Sequence, residues 1–597
     1  MNLATLDWAI IVAFFAISLS VGVLVARRSG KSSAEFFLSG RSMPWWLLGV
    51  SMVATTFSAD TPNLVTDIVR KNGVAGNWAW WAFLLTGMLT VFVYARLWRR
   101  SGVLTDIEFY ELRYSGSMAA FLRGFRAIYL GVFFNIIIMA TVCLAGIKIG
   151  GVMLGISPVQ TLLLVALVTV VYSAIGGLRG VIITDFIQFG LAMIGSIAAA
   201  VVIVNLPEVG GLEALLTHEN VRGKLHLLPD FTDSKLLIPL FLIPLAVQWW
   251  SVWYPGAEPG GGGYIAQRML AAKSETHAVG ATLLFNVAHY ALRPWPWILV
   301  ALASIVVFPD FASLQAAFPK VSTSVINDDL AYPAMLTKLP RGLTGLVIAS
   351  LIAALMSTLS THLNWGSSYV VNDCYKRFIK PAATERELVR VGQLSTVLLM
   401  VLAALLALAL SNALQAFNIL LQIGAGTGLI FILRWFWWRI NAYSELSAMI
   451  ISFTIALYFE FVHNRLLGFA LLPDHIKLVS GVLITTVGWI TVTLFTRPTN
   501  HDTLLQFYKM VKPASAGWQP VLRKALAEGT LQPTEIQAGK LPLEIACMLI
   551  GCITVYAALF STGFWIYNNT SAAWWATGVA VAGSVVLFRL WQQIRLS

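Results

Sequence analysis

The chain has 597 residues, of which 58% are hydrophobic and 11% charged, and its mean hydropathy is +0.77. This composition lies far outside that of water-soluble domains and excludes a soluble enzyme. The net charge of +12 does not indicate nucleic-acid binding, because the lysines and arginines are spread over polar loops and form no single patch. The sequence predicts an all-α polytopic membrane protein.

Apolar stretches of about twenty residues, the length of a membrane-spanning helix, recur along the whole chain. They predict about fifteen transmembrane helices. The predicted spans are 7–26, 45–69, 77–98, 127–149, 159–178, 181–206, 236–254, 279–308, 343–373, 388–410, 414–437, 446–462, 478–495, 543–566 and 572–590. The first has neither the basic flank nor the cleavage site of a signal peptide, so it is predicted to be retained.

Basic residues fall in alternate loops, with the main groups at 27–41, 96–126, 376–390 and 497–540. Positively charged loops stay on the cytoplasmic side of a membrane. The pattern therefore predicts a protein of the inner or plasma membrane with its N-terminus outside and its C-terminus in the cytoplasm.

Two predicted spans are interrupted at membrane depth. The second reads MVATTFSADTPNLV, in which Pro62 cannot donate a hydrogen bond to the carbonyl group four residues earlier. The seventh ends in the run PGAEPGGGG at 255–263, which precedes a short amphipathic turn. Backbone exposed in this way points to an ion or substrate cavity, and a separation of five spans matches an inverted repeat whose halves each open with a discontinuous helix. The alternative is a tolerated proline kink and an ordinary glycine-rich loop.

The ninth span carries a row of hydroxyl groups. Ser357, Ser360 and Thr361 stand at helical spacing on one face, and small hard cations prefer oxygen ligands. Thr358, together with the carbonyl oxygen of Ala354, could serve a neighbouring cation site. The alternative is a close-packed helix interface in which the hydroxyl groups bond to backbone carbonyls.

Charged residues within apolar spans are the other candidates. Asp185 lies near the start of the sixth span, where a cation would neutralise it, although a proton relay or pairing with a nearby arginine such as Arg179 would also do so. Arg293 in the eighth span either holds a substrate carboxylate or pairs with Asp60 or Glu258, and the sequence leaves these options open. His289 is interpreted as a hydrogen-bonded core residue.

Four stretches, in order along the chain, resemble the sodium:solute symporter family, which includes sodium-glucose, sodium-proline and sodium-sialic acid cotransporters. They read SAEFFLSGRSMPWWLLGVSMVATTFSADT, YSAIGGLRGVIITDFIQ, YIAQRMLAAKS and AALMSTLSTHLNWGSSYVVNDCY, and the resemblance covers roughly 7–437. It implies a leucine-transporter-like fold with two inverted five-helix repeats. The implied regions are a leading helix and cytoplasmic loop (1–43), a ten-helix transport core (44–440), two additional helices (441–497), a cytoplasmic linker with amphipathic helix (498–541) and two C-terminal helices (542–597).

The resemblance also implies binding residues. A first sodium site would use carbonyl oxygens of Ala54, Phe57 and Ala354 and hydroxyl groups of Ser357 and Thr358. A second sodium site, present in some members, would use Asp185, Ser357, Ser360 and Thr361. Tyr264 matches a tyrosine that closes the substrate site of sugar-transporting relatives towards the cytoplasm. The chain departs from these relatives just before it, at GAEPGGGG, so their sugar-binding residues there do not transfer. Either Glu258 is expected to replace them, or the glycines are expected to let the backbone approach a different solute.

The sequence thus predicts a sodium-coupled symporter, and no enzyme, that imports a small polar solute. Its predicted partners are sodium ions, the solute and the lipid bilayer, with no nucleic acid and no obligate protein partner. The aromatic content and Tyr264 favour a sugar or polyol, whereas Arg293 keeps carboxylates and amino acids open, and Asp60, Glu258, Tyr264 and Arg293 are the candidate substrate residues. The alternative in a different class is a transporter-like solute receptor that signals through 498–540.

Overall fold

The computed structural model describes residues 3–29, 31–252, 258–319, 326–410, 424, 426–536 and 539–595. Within these residues the secondary structure is helical, and the only β-type pairing is one isolated bridge between Met43 and Ala272. The all-α prediction is confirmed for this part of the chain. The first part of the predicted span at 414–437, up to residue 423, and the start of the glycine-rich run, at 255–257, lie outside it.

Eighteen helices are used in the description that follows. They are α1 (Thr5–Ser29), α2 (Trp45–Thr56), α3 (Thr61–Asn72), α4 (Val74–Ser101), α5 (Ser117–Ile149), α6 (Pro158–Val171), α7 (Gly176–Val204), α8 (Ser234–Ala246), α9 (Gly263–Ala271), α10 (Glu275–Val307), α11 (Leu343–Ile379), α12 (Glu385–Ala409), α13 (Ala442–Val462), α14 (Asp474–Phe495), α15 (His501–Val511), α16 (Gln519–Ala527), α17 (Leu541–Ile566) and α18 (Thr570–Arg595). In the described residues, ten are long and apolar enough to cross a membrane, and α1, α2, α6 and α8 contain shorter apolar stretches.

The second predicted span is broken where the sequence indicates. Helix α2 ends at Thr56 and α3 begins at Thr61, so 57–60 are not helical. Pro62 lies in the first turn of α3, where its missing N–H leaves no helical hydrogen bond unmade. The proline therefore starts a new helix and does not kink a continuous one.

The seventh predicted span is broken as well. Helix α8 ends at Ala246, a short 3-10 helix follows at Gln248–Trp250, and α9 begins at Gly263. The short segment predicted to be an amphipathic turn is a helix of nine residues that are all buried. Its polar side chains, Gln267 and Arg268, are satisfied by groups inside the protein.

Helix α11 lies at the centre of the bundle. All of its residues from Val347 to Tyr369 are buried, and it packs against α2, α5, α7 and α12. A helix that is surrounded on every side can carry polar groups only where neighbouring helices bond to them. This position makes α11 the element around which a polar site can form.

The segment at 498–541, predicted as a linker with an amphipathic helix, contains the two helices α15 and α16. Trp518, just before α16, is buried and donates its indole N–H to the carbonyl of Trp435 at 3.0 Å. The guanidinium of Arg113 lies 4.8 Å from the centre of the Trp518 ring. This segment is therefore packed onto the bundle at the end where the main basic groups lie, which we call the basic end.

The last two helices differ in their surroundings. Helix α17 contacts the core, since Leu559 accepts a hydrogen bond from the Trp295 indole at 2.9 Å and Tyr556 donates one to the carbonyl of Trp81 at 2.8 Å. Helix α18 packs mainly on α17 and leaves Trp574 exposed. Exposed apolar side chains of this kind are expected on a surface that faces lipid.

Asp7 joins the first helix to the central one. Its buried carboxylate accepts hydrogen bonds from the backbone N–H groups of Ala4, Gly342 and Gly345 at 2.7–2.9 Å.

We expect Asp7→Ala to destabilise the protein by about 2 kcal/mol, because buried N–H groups lose their acceptor. The measurement is the thermal unfolding temperature in detergent. Asp310→Ala, which removes a cap from a short exposed helix, is the control and should change that temperature much less.

Candidate ion and solute site

The break between α2 and α3 leaves backbone groups free of helical hydrogen bonds. The N–H of Phe57 still donates to the carbonyls of Val53 and Ala54, at 2.9 and 3.1 Å, and the helix then stops. The Phe57 ring is wedged against Trp297 of α10, with 4.9 Å between the ring centres. The end of α2 is thus fixed in position beside α11.

Hydroxyl groups of α11 connect it to the broken helix. Thr358 donates to the carbonyl of Thr55 at 2.8 Å and to that of Ala354 at 3.2 Å. The Thr361 and Thr55 hydroxyls are 2.9 Å apart. Ser360 bonds to the carbonyl of Ser357 in its own helix at 3.0 Å. The structure therefore brings Thr358 and Ala354 of α11 to the end of α2, where Ala54 and Phe57 lie. This arrangement is what the predicted first sodium site requires. The site itself stays a prediction.

Asp185 of α7 is fully buried and has three partners. It accepts hydrogen bonds from Ser51 at 2.5 Å and from Ser357 at 2.7 Å, and its carboxylate lies 3.7 Å from the guanidinium of Arg268. The alternative of a nearby arginine partner is therefore confirmed, and the arginine is Arg268 on α9, which the sequence analysis did not name.

Arg268 extends the same network towards α11. Its guanidinium donates to Thr361 at 2.7 Å, to Ser51 at 3.2 Å and to Gln267 at 2.8 Å. Asp185, Ser357 and Thr361 of the predicted second sodium site thus meet at one point, where the guanidinium group bonds to Thr361 and pairs with Asp185. The sequence analysis missed Arg268. Its only sequence signal was a charged residue in the short segment after the glycine-rich run.

Arg293 lies in a second polar cluster, next to the α2 break. Its guanidinium donates to Thr56 at 3.2 Å, contacts His289 at 3.1 Å and lies 5.2 Å from the centre of the Trp297 ring. His289 bonds to Thr56 at 3.0 Å, which confirms its interpretation as a hydrogen-bonded core residue. Arg293 is 2% exposed, and in the described residues no carboxylate lies within ion-pair distance of it.

The other candidate substrate residues lie around this cluster or apart from it. Asp60 and Tyr264 are both electrostatic neighbours of Arg293. The buried Tyr264 ring is also 6.0 Å from the His362 ring and 5.8 Å from the Arg268 guanidinium, so this side chain lies between the two polar clusters. Glu258 forms ion pairs with Arg126 and Arg434 instead, so the suggested pairing of Arg293 with Glu258 is wrong.

A family model and curated relatives show the family of this chain. The family model described as "Sodium:solute symporter family" matches residues 36–452. The chain is 28% identical to a sodium/glucose cotransporter of Vibrio parahaemolyticus over 77% of this chain and 86% of the relative. It is 26% identical to sodium/myo-inositol cotransporter 2 of Sus scrofa over 84% of this chain and 80% of that relative.

A solved structure shares the fold. It is a Na+-coupled sialic acid symporter in a substrate-bound, outward-open state, described as revealing a novel Na+-site, with a TM-score of 0.67 and 23% identity. The match covers 84% of this chain and 99% of that protein. It confirms the predicted leucine-transporter-like fold.

The Asp185 and Arg268 pair should be energetically coupled. Asp185→Asn leaves a buried guanidinium without its counter-ion, which we expect to cost about 3–5 kcal/mol. The double variant Asp185→Asn with Arg268→Gln should recover part of this loss, because no unpaired charge remains. Thermal unfolding in detergent of both single variants and the double variant gives the coupling energy. Strictly additive effects would show that the two side chains do not interact.

Proposed function

Because this chain belongs to the sodium:solute symporter family, we propose that it imports a small polar solute together with sodium ions, with a sugar or polyol as the first solute class to test. Relatives named as glucose, myo-inositol and mannose cotransporters support this choice. The aromatic rings of Trp80, Tyr290 and Trp297 near Arg293 and His289 would suit the flat face of a sugar.

One contact carries the sodium part of the proposal. The Thr358 hydroxyl bridges α11 to the carbonyl of Thr55, in the last turn of α2, at 2.8 Å. This contact gathers hydroxyl and carbonyl oxygens from two helices around one point, which is the ligand type that small hard cations prefer. We propose that sodium binds there to oxygens of Ala54, Phe57, Ala354, Ser357 and Thr358 and replaces the direct contact between the helices.

A cation that bridges α2 and α11 would favour the conformer in which both helices contribute ligands. If sodium and solute bind the same conformer, each of them raises the affinity of the protein for the other. Each sodium ion that crosses a membrane potential of 100 mV contributes about 2.3 kcal/mol to accumulation of the solute. A second ion at Asp185, Ser360 and Thr361 would increase this, and it would have to displace the guanidinium of Arg268.

The distribution of basic residues supports an orientation for the protein. We propose that the basic end, which includes Arg99, Arg113 and Arg377, faces the cytoplasm. The N-terminus would then lie outside and the C-terminus in the cytoplasm, in an inner or plasma membrane. Solute would leave the protein past the basic end.

The sodium site is tested by uptake into proteoliposomes. Solute accumulation should require an inward sodium gradient and should not occur with potassium. In Thr358→Ala the sodium concentration for half-maximal uptake should rise about tenfold or more, because one of the cation's oxygen ligands is lost. Ser350→Ala is the control, since Ser350 is a buried hydroxyl of the same helix that bonds only within it, to Val347 at 2.8 Å.

The outcomes separate the functional classes. Uptake that is independent of sodium would contradict the symporter proposal, and binding of solute without any uptake would favour the receptor. If the sodium concentration for half-maximal uptake is unchanged in Thr358→Ala, the sodium ion does not bind at Thr358.

A second solute class is favoured by one observation. Arg293 is deeply buried, and its Nε atom has no hydrogen-bond partner in the described residues. A buried guanidinium without a paired carboxylate is costly, and the carboxylate of a bound solute would lower that cost. A sugar acid or an amino acid is therefore the second candidate.

The two classes are distinguished with solutes that differ only in a carboxylate, such as glucose and glucuronate. If a carboxylate binds Arg293, the acid should raise the unfolding temperature in sodium and the neutral sugar should not. Arg293→Gln should then weaken binding of the acid about 10- to 100-fold through loss of a charged hydrogen bond. Equal binding of the acid by Arg293→Gln and the parent would exclude this role for Arg293.

A further inference from the structure

Glu258 belongs to a buried ion-pair network at the basic end. Its carboxylate contacts Arg126 and lies 3.5 Å from Arg434, which in turn is 3.4 Å from Glu445. The exposed fractions of these four side chains are between 0 and 3%. Two acids and two arginines balance one another in charge, so the network is neutral as a whole.

The network joins parts of the protein that are far apart in sequence. Arg126 is on α5, Arg434 precedes α13, Glu445 is on α13, and Glu258 is in the irregular segment before α9. Arg434 and Arg126 also lie over the ring of Phe431, at 4.9 and 5.0 Å from its centre. Glu258 is thus the group through which the segment before α9 is attached to the bundle wall.

The segment 258–263, which we call the plug, is held by further contacts. The carbonyl of Gly260 accepts a hydrogen bond from the Trp98 indole at 2.9 Å, and the N–H of Gly263 donates to Asp106 at 2.7 Å. Gly260 and Gly261 have φ angles of 83° and 92°, which residues other than glycine rarely adopt. The backbone therefore fits closely between α4 and the loop after it.

Tyr264 follows the plug directly. Because it is the second residue of α9 and neighbours Arg293, Arg268 and His362, the plug lies on the basic-end side of both polar clusters. Anything that leaves these clusters towards the basic end has to move the plug or pass around it.

We propose that Glu258 is a gating residue, which closes the cytoplasmic exit by fixing the plug to Arg126 and Arg434. This inference rests on the proposed function, because a gate requires a transport path. Opening separates Glu258 from both arginines, and the water that enters the exit hydrates the separated charges. The network therefore has two stable arrangements, one closed and paired and one open and hydrated.

Ion pairs at the opposite end of the bundle are more exposed. Arg70 of α3 pairs with Asp328 at 2.7 Å, and Lys148 of α5 pairs with Asp329 at 3.3 Å. Side chains in these pairs are up to 30% exposed, so water already reaches them. The Glu258 network differs from them because its charges are hydrated only when it separates.

The test uses a reporter cysteine behind the plug. Thr90 of α4 is buried beside Gly261, and Thr90→Cys is made in a protein whose four native cysteines are changed to serine. A membrane-impermeant maleimide is added from the basic end, and its rate of reaction is measured. Glu258→Gln should raise this rate about tenfold or more by increasing the open population. Glu387→Gln, which removes a partly exposed carboxylate paired with Lys380, is the matched control and should leave the rate unchanged.

Two further measurements keep the test decisive. The double variant Glu258→Gln with Arg126→Gln removes one buried charge of each sign, so it should fold even if the single variant does not, and it should also react faster than the parent. In the parent reporter itself, external sodium should slow the reaction by favouring the outward-open conformer.

Rates within twofold of the parent in both folded variants would overturn the gate. If neither variant folds, a parent rate that does not respond to sodium, in a protein whose uptake does require sodium, would overturn it. Sodium-independent uptake together with fast labelling of Glu258→Gln would instead contradict the proposed sodium coupling and leave the gate standing.

Discussion

The centre of this protein depends on the need to keep a carboxylate and a guanidinium together in a region that excludes water. Asp185 and Arg268 are both 0% exposed, and either charge alone would be costly there. Ser51, Ser357 and Thr361 supply the remaining hydrogen bonds, so one network ties α2, α7, α9 and α11 together. Helix α2 precedes the first interruption and α9 follows the second, so the network connects both interrupted segments. The four helices therefore cannot shift independently.

The same network places an arginine among the oxygens that would hold a second cation. A guanidinium group has a fixed charge and several donors, so it can substitute for a bound ion without needing to be captured from solution. Arg268 is one turn from Tyr264 on α9. A movement of α9 that takes the guanidinium away from Asp185 would therefore also move the Tyr264 ring, which lies between the two polar clusters.

Local features of the sequence predicted much of this arrangement. The break at 57–60 follows from Pro62 and its polar neighbours, and the hydroxyl face of α11 follows from helical spacing, since both concern residues within one turn of each other. The partner of Asp185 could not be found in this way. Arg268 is distant in the sequence and sits in a segment that looks amphipathic, so only the packing of α9 into the interior reveals its role. Glu258 was identified as unusual, but its partners Arg126 and Arg434 were not found, because the three-dimensional path of the glycine-rich segment depends on contacts with Trp98 and Asp106.

Helix α17 gives the transport core a neighbour made of protein where other regions meet lipid. It lies beyond the end of the family match at residue 452, yet it accepts a hydrogen bond from Trp295 of α10 and donates one to α4. Helices that border lipid directly adjust their tilt to the thickness of the bilayer. On this side α10 contacts a protein surface instead, so we expect a change in bilayer thickness to act first on the pair α17 and α18 and less on the Arg293 cluster.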